Sequence, residues 1–133
     1  MKEIKFRAWL KEDKKMVNVE TMDFTDKSIQ YLEKSEFINA YLLRRVSFDD
    51  VKLMQYTGIK DKNGKEIYEN DLISCNKHKN IVVFFEGGCF KVKYLRNSTT
   101  TITCTLNSFL EKYKCKISGN IYEPPELLEE NNW

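Results

Sequence analysis

Short alternating segments separated by tight-turn signals fill the second half of the chain, and this pattern constrains the fold more than any other feature. Strand-like alternation covers about residues 72–75, 80–85, 89–95 and 99–105. Gly87-Gly88 joins two of these segments as a hairpin. Residues 106–113 predict one or two helical turns, with Asn107 or Ser108 as the N-cap, and residues 115–122 predict a fifth strand. Five short strands with one helical turn are typical of a small SH3-like barrel.

The first half of the chain also predicts β structure. The segments with strand-like patterning are 4–9, 16–19, 28–32 and 52–57. A polar turn over 11–14 makes the first two an N-terminal hairpin, Gly58 is expected to end the last, and Asn63-Gly64 marks a tight turn. Residues 35–46 fit either a short helix or a strand, and the sequence leaves this open.

These segments together predict a mainly β protein in two parts with one or two short helices. We expect an N-terminal β subdomain over 1–70, an SH3-like barrel over 71–123 and an acidic tail over 124–133. The 133 residues carry a net charge of +2, and the acidic tail leaves the body mildly basic. No apolar run is long enough to cross a membrane, and the charged N-terminus has no secretory signal, so we expect a cytoplasmic protein.

The four cysteines are expected to be free thiols. They are Cys75, Cys89, Cys104 and Cys115, and none forms a C-x-x-C pair. Cys75 and His78 are the nearest approach to a metal half-site or a nucleophile–base pair, but neither reading has the further residues it needs. We therefore expect reduced, buried or partly buried cysteines, no metal and no cofactor.

The densest polar cluster lies between Asp61 and Asp71. A calcium loop that starts at Asp61 would place Glu66 where glycine is required, and the register that aligns Gly64 fails at both ends. We therefore expect two turns in which carboxylates accept hydrogen bonds from backbone N–H groups.

No catalytic motif is present, so we expect a protein that acts by binding. Lys91 and Lys93 alternate with Phe90, Val92 and Tyr94, which predicts one lysine-bearing face and one core face. Such a lysine face could follow a phosphate backbone, although only 4 of the 22 basic residues are arginine, the residue best suited to reading bases. The residues expected to form a binding surface are Lys77, Lys79, Lys91, Lys93, Arg96, Tyr122 and Trp133.

Three stretches of the sequence resemble one known family. They are KFRAW with KKMV at 5–9 and 14–17, LMQYTGIKDKNGKEIYENDLI at 53–73, and GNIYEPPELL at 119–128. In these residues the chain resembles the YopX family of phage and prophage proteins, although Leu10 and Asn70 stand at turn positions where the family commonly has Asp and Gly.

The resemblance implies coiled N-terminal sheets followed by an SH3-like barrel, and it brings no catalytic residues. It also implies a non-enzymatic accessory protein of a phage or prophage in the host bacterial cytosol. The partner expected from the sequence is another phage or host protein, and the alternative is weak nucleic-acid binding. Homo-oligomerisation is left open, and no membrane contact is expected.

Overall fold

The computed structural model describes residues 3–124 and confirms a mainly β protein. Its contacts divide the chain into two compact units, Glu3–Gln55 and the remainder from Tyr56 onward. Ile67, which lies between Tyr56 and residue 70, is fully buried in the core of the second unit. Most of the expected acidic tail, 124–133, lies outside the described residues.

The first unit contains five strands and the beginning of a sixth. They are β1 (Phe6–Leu10), β2 (Lys15–Asn18), β3 (Thr21–Asp23), β4 (Ser28–Lys34), β5 (Tyr41–Ser47) and β6 (Val51–Lys60). Strand β1 pairs antiparallel with β2 and with the first half of β6, which confirms the predicted N-terminal hairpin. Strands β3, β4 and β5 form a separate antiparallel sheet in that order. The ambiguous segment 35–46 is therefore a loop followed by a strand.

The core of the first unit lies between these strands. Its buried side chains are Ala8, Leu10, Ile29, Tyr31 and Val51. The alternation in β1 buries Ala8 and Leu10, whereas Ile4 lies before the strand and is largely exposed. Strand β5 is exposed along almost its whole length.

The second unit begins with the second half of β6. Its other elements are β7 (Glu66–Tyr68), β8 (Asp71–Ser74), β9 (Ile81–Glu86), β10 (Cys89–Leu95), β11 (Thr101–Thr105), α1 (Leu106–Lys112) and β12 (Lys116–Asn120). The prediction that Gly58 ends β6 is wrong. Gly58 has a φ of +84°, and the pairing of β6 with β7 shifts register between Tyr56 and Lys60, so the glycine bends the strand within its length.

Five strands of the second unit form one antiparallel sheet in the order β11-β10-β9-β8-β12. The predicted Gly87-Gly88 hairpin is confirmed, since both glycines have positive φ and Phe90 pairs with Phe85 across it. The SH3-like barrel is not confirmed. Among the described residues β12 pairs only with β8, so β11 and β12 are the two edges of an open sheet.

Helix α1 connects these two edges and covers the core of the second unit. Leu106 and Phe109 are its buried residues, and they pack with Ile67, Ile73 and Val83 among others. The N-cap is Thr105 and not the predicted Asn107 or Ser108, because the Thr105 hydroxyl accepts the Ser108 N–H at 3.2 Å. Within the described residues, no helix is long and apolar enough to span a membrane.

The acidic cluster has the capping role that the sequence predicted. The Asp61 carboxylate accepts the backbone N–H groups of Asn63, Lys65 and Ile117 at 2.8, 2.9 and 3.0 Å. Asp71 accepts the N–H of Tyr68 at 2.8 Å. Asp61 therefore fastens the turn between β6 and β7 to the start of β12.

Candidate functional site: a basic groove in the second unit

Three segments of the second unit come together around one surface depression. The loop between β8 and β9 contributes Lys77, His78 and Lys79, the end of β10 contributes residues 93–96, and the end of α1 contributes residues 112–113. The loop is held in a turn because the Cys75 N–H donates to the His78 carbonyl at 2.7 Å. This turn brings the His78 side chain back over the sheet.

We call this depression the basic groove. Its lining residues are Lys77, His78, Lys79, Ile81, Lys93, Tyr94, Leu95, Arg96, Thr101, Ile102, Lys112 and Tyr113. It consists of two adjoining hollows of about 540 and 620 Å³, which share Lys77, His78, Tyr94 and Leu95. Each hollow is within the size range of ordinary ligand sites.

Aromatic rings form the floor of the basic groove. The His78 ring centroid lies 4.7 Å from that of Tyr94 and 4.9 Å from that of Tyr113. Beneath them is Phe109, whose centroid lies 5.0 Å from Tyr94 and 4.9 Å from Tyr113. Phe109 is fully buried, whereas His78, Tyr94 and Tyr113 are half-buried. The floor is therefore anchored in the core and presents ring edges and faces to solvent.

The walls of the basic groove are cationic. Among the described lining residues five are lysine or arginine and none is acidic: Lys77, Lys79, Lys93, Arg96 and Lys112. Within the part of the chain that the structure describes, none of the five makes an ion pair. The Lys112 ammonium lies 5.4 Å from the Tyr113 ring centroid. Among the described residues, no carboxylate neutralises these charges, which together attract an anion.

The structure brings together four of the seven residues that the sequence proposed as a binding surface. Lys77, Lys79, Lys93 and Arg96 all line the basic groove. Lys91 is on the same strand as Lys93, but its ammonium faces the Glu86 carboxylate at 3.8 Å.

The two aromatic residues of that proposed surface are not at the groove. Tyr122 is half-buried after β12, where its N–H donates to the Asn120 side chain at 2.9 Å. Trp133 lies outside the described residues. Ile121, next to Tyr122, is exposed.

Sequence reasoning missed the residues that give the basic groove its floor. Tyr94 was expected to face the core, which it does, but its ring also reaches the groove. The sequence predicts a polar loop at His78 and a short helix that ends at Tyr113, and neither pattern indicates that His78, Lys112 and Tyr113 share a surface. The one local signal for His78 as a groove residue is that Lys77 and Lys79 flank it in the sequence.

The four cysteines are free, as predicted, and burial makes two of them poor nucleophiles. Burial raises the pKa of Cys115 to about 12 and, despite the positive charge of Lys112, raises the pKa of Cys104. A reactive cysteine needs a lowered pKa. The His78 ring packs against three aromatic rings, and a backbone hydrogen bond joins Cys75 to His78.

The fold and the basic groove define a small two-unit β protein with a cationic, aromatic surface. The sequence matches the family model described as YopX protein over residues 5–129, so the chain belongs to the YopX family. The resemblance drawn from the three motifs is thereby confirmed.

One solved structure with a similar fold is the crystal structure of protein EF1440 from Enterococcus faecalis. It has a TM-score of 0.60 and 25% sequence identity, and the match covers 96% of this chain and 99% of that chain. A comparison with the curated proteins finds no match.

Proposed function

We propose that this YopX-family chain is a non-enzymatic binding protein whose basic groove holds single-stranded nucleic acid. The observation that supports this is the convergence of five cationic side chains on a floor of three half-buried rings. Proteins that bind single strands combine these two features: positive charge follows the backbone, and aromatic rings stack on the bases. The setting implied by the family, a phage or prophage protein in the bacterial cytosol, belongs to the same proposal.

The rings favour nucleic acid over an acidic protein segment as the occupant of the basic groove. Charge alone would suit either ligand. The half-buried rings of His78, Tyr94 and Tyr113 add a surface on which a base can stack, and each stacked base contributes about 1–3 kcal/mol. The groove is also an open depression on the surface, which an unpaired strand can enter from the side.

The low arginine content predicts binding without strong sequence preference. Arg96 is the one arginine among the five cations, and lysine contacts phosphate as a point charge. Binding should therefore depend on salt, with the logarithm of the affinity falling by about 0.7 for each phosphate contact per logarithmic unit of salt.

Fluorescence anisotropy with a labelled oligothymidylate tests the proposal with a matched pair of variants. Lys93→Ala removes a cation of the basic groove, while Lys91→Ala removes a lysine two residues away that faces Glu86. We expect Lys93→Ala to weaken binding and reduce the salt slope by about 0.7, and Lys91→Ala to leave both unchanged.

The contribution of the rings is tested with Tyr113→Ala. We expect it to weaken binding by about fivefold to a hundredfold with little change in the salt slope, because it removes a stacking surface and no charge. Equal effects of the two lysine variants, or competition by polyglutamate as strong as that by the oligonucleotide, would contradict the proposal.

A protein partner, favoured from the sequence, is the second candidate function. Its support comes from the first unit, where the hairpin of β4 and β5 exposes large apolar side chains. Soluble proteins rarely expose so many on one element unless it contacts another molecule.

A further inference from the structure

The hairpin formed by β4, the loop 35–40 and β5 carries most of the exposed apolar surface of the first unit. Six large apolar residues on it are exposed: Leu32, Phe37, Ile38, Tyr41, Leu42 and Leu43. Phe37 is 93% exposed and Tyr41 65%. The six side chains together expose on the order of 600 Å². We call this segment, residues 32–43, the apolar arm.

The outer edge of β5 also has free hydrogen-bonding groups. The sheet order β3-β4-β5 leaves one side of β5 with no strand among the described residues. At the ends of the hairpin, Ser35 N–H donates to Ala40 C=O and Phe48 N–H to Lys27 C=O, each at 2.9 Å. Because hydrogen-bonded pairs alternate along antiparallel strands, the backbone groups of Leu42, Arg44 and Val46 face β4. Those of residues 41, 43, 45 and 47 face outward.

We propose that a second copy of this chain pairs with the β5 edge, antiparallel and around a two-fold axis at Leu43. The outward-facing backbone groups of the two copies are then hydrogen-bonded to each other, and two three-stranded sheets become one six-stranded sheet. This proposal concerns the first unit and is independent of the basic groove.

The side chains of this register match a second copy well. Leu32 lies directly opposite Leu43 across β4 and β5, so both are on the same face of the sheet. Pairing at Leu43 extends this row across the axis: Leu32 and Leu43 of one copy are followed by Leu43 and Leu32 of the other. Tyr41 of each copy then lies opposite Arg45 of the other, which allows a cation–π contact.

The charges of β5 do not oppose this pairing. Arg44 is paired with Glu33 of β4 at 3.0 Å, and Arg45 is paired with Asp26 of the turn between β3 and β4 at 3.3 Å. A register centred one residue later would place Arg44 of one copy directly opposite Arg44 of the other. Repulsion between these two like charges disfavours that register. The apolar arms of the two copies together expose on the order of 1,200 Å², the area at which specific interfaces begin.

Sedimentation velocity over a range of concentrations tests the proposal on the full chain. We expect the wild type to be a dimer that dissociates on dilution. Leu43→Asp places two carboxylates opposite each other at the axis, so the dissociation constant should rise about a hundredfold or more. The control is Ile4→Asp, which changes an exposed apolar residue outside the arm in the same way and should leave the dimer intact.

A second variant tests the register and does not depend on loss of binding. Leu43→Cys places two thiols at a Cα separation of about 5.5 Å, within the range that a disulfide spans. Oxidation with diamide should link this variant into dimers faster than the wild type or Ile4→Cys. A wild type that stays monomeric at every soluble concentration would overturn the proposal, as would a folded Leu43→Asp variant that dimerises normally or a Leu43→Cys variant that links no faster than Ile4→Cys.

Discussion

Replacing Asp61 by asparagine should destabilise the second unit strongly, although the two side chains have the same shape. One carboxylate oxygen of Asp61 accepts the N–H groups of Asn63 and Lys65, and the other accepts the N–H of Ile117, 56 residues away. Asp61 is only 7% exposed. Asparagine retains one oxygen but must turn its NH₂ group toward a donor that now lacks an acceptor.

The size of the effect follows from these three hydrogen bonds. A hydrogen bond to a charged group contributes about 1.5–3 kcal/mol. A buried donor that is left without an acceptor costs about 1–3 kcal/mol more. If Asn keeps the two bonds of the turn in weaker, neutral form, the free energy of unfolding should fall by about 2–4 kcal/mol.

Urea unfolding followed by circular dichroism measures this loss, and amide hydrogen exchange at Ile117 localises it. The control is Asp23→Asn in the first unit. One oxygen of the exposed Asp23 accepts the N–H groups of Thr25 and Asp26, and asparagine can keep that oxygen in place. The control should change stability by less than about 0.5 kcal/mol. An Asp61→Asn variant as stable as the control would refute the reasoning.

The pH dependence gives the same prediction an independent check. Burial alone would raise the pKa of Asp61, but the N–H groups of Ile117, Lys65 and Asn63 outweigh it and lower the pKa. The stabilisation is therefore fully present above the unfolded-state pKa of about 3.9 and is lost as the pH falls through the folded-state pKa. The stability difference between wild type and Asp61→Asn should shrink below about pH 4.

Two further predictions concern the core of the second unit. Burial raises the pKa of Cys115 to about 12 from an ordinary value of 9.0, so between these values the unfolded chain loses a proton that the folded chain keeps. Stability should fall with rising pH in that window by about 1.4 kcal/mol per unit, and urea unfolding at pH 8 and 10 should show a drop that Cys115→Ala lacks. Ile67→Ala should cost about 2–5 kcal/mol and reduce hydrogen-exchange protection in β8–β10 but not in β1, since Ile67 belongs to the second core.

Local patterns in the sequence predicted most of the strands because their causes are local. Alternation placed Val92 in the core and Lys93 in solvent, and Gly87-Gly88 supplied the positive φ of a tight hairpin. The same reasoning failed at Gly58. A glycine with positive φ can end a strand or bend it, and the pairing with β7 that continues β6 is not visible in the residues around Gly58.

Features set by distant contacts could not be predicted from the sequence. Whether residues 41–46 form a helix or a strand depends on their pairing with β4. Whether the sheet of the second unit is open or closed depends on which strand β12 pairs with. The basic groove was half predicted. Its lysines stand out in the sequence, but the packing of His78 against Tyr94 and Tyr113 joins residues from a loop, a strand and the end of a helix.

The most direct test of the proposed nucleic-acid site is a titration of the ¹⁵N-labelled protein with a short oligothymidylate, followed by amide chemical shifts. Binding in the basic groove predicts the largest shifts in the loop at 77–79, at the end of β10 over 93–96, and at residues 112 and 113, with β5 unchanged. Shifts that are confined to the first unit, or no shifts at oligonucleotide concentrations that saturate ordinary single-strand binding proteins, would contradict the account.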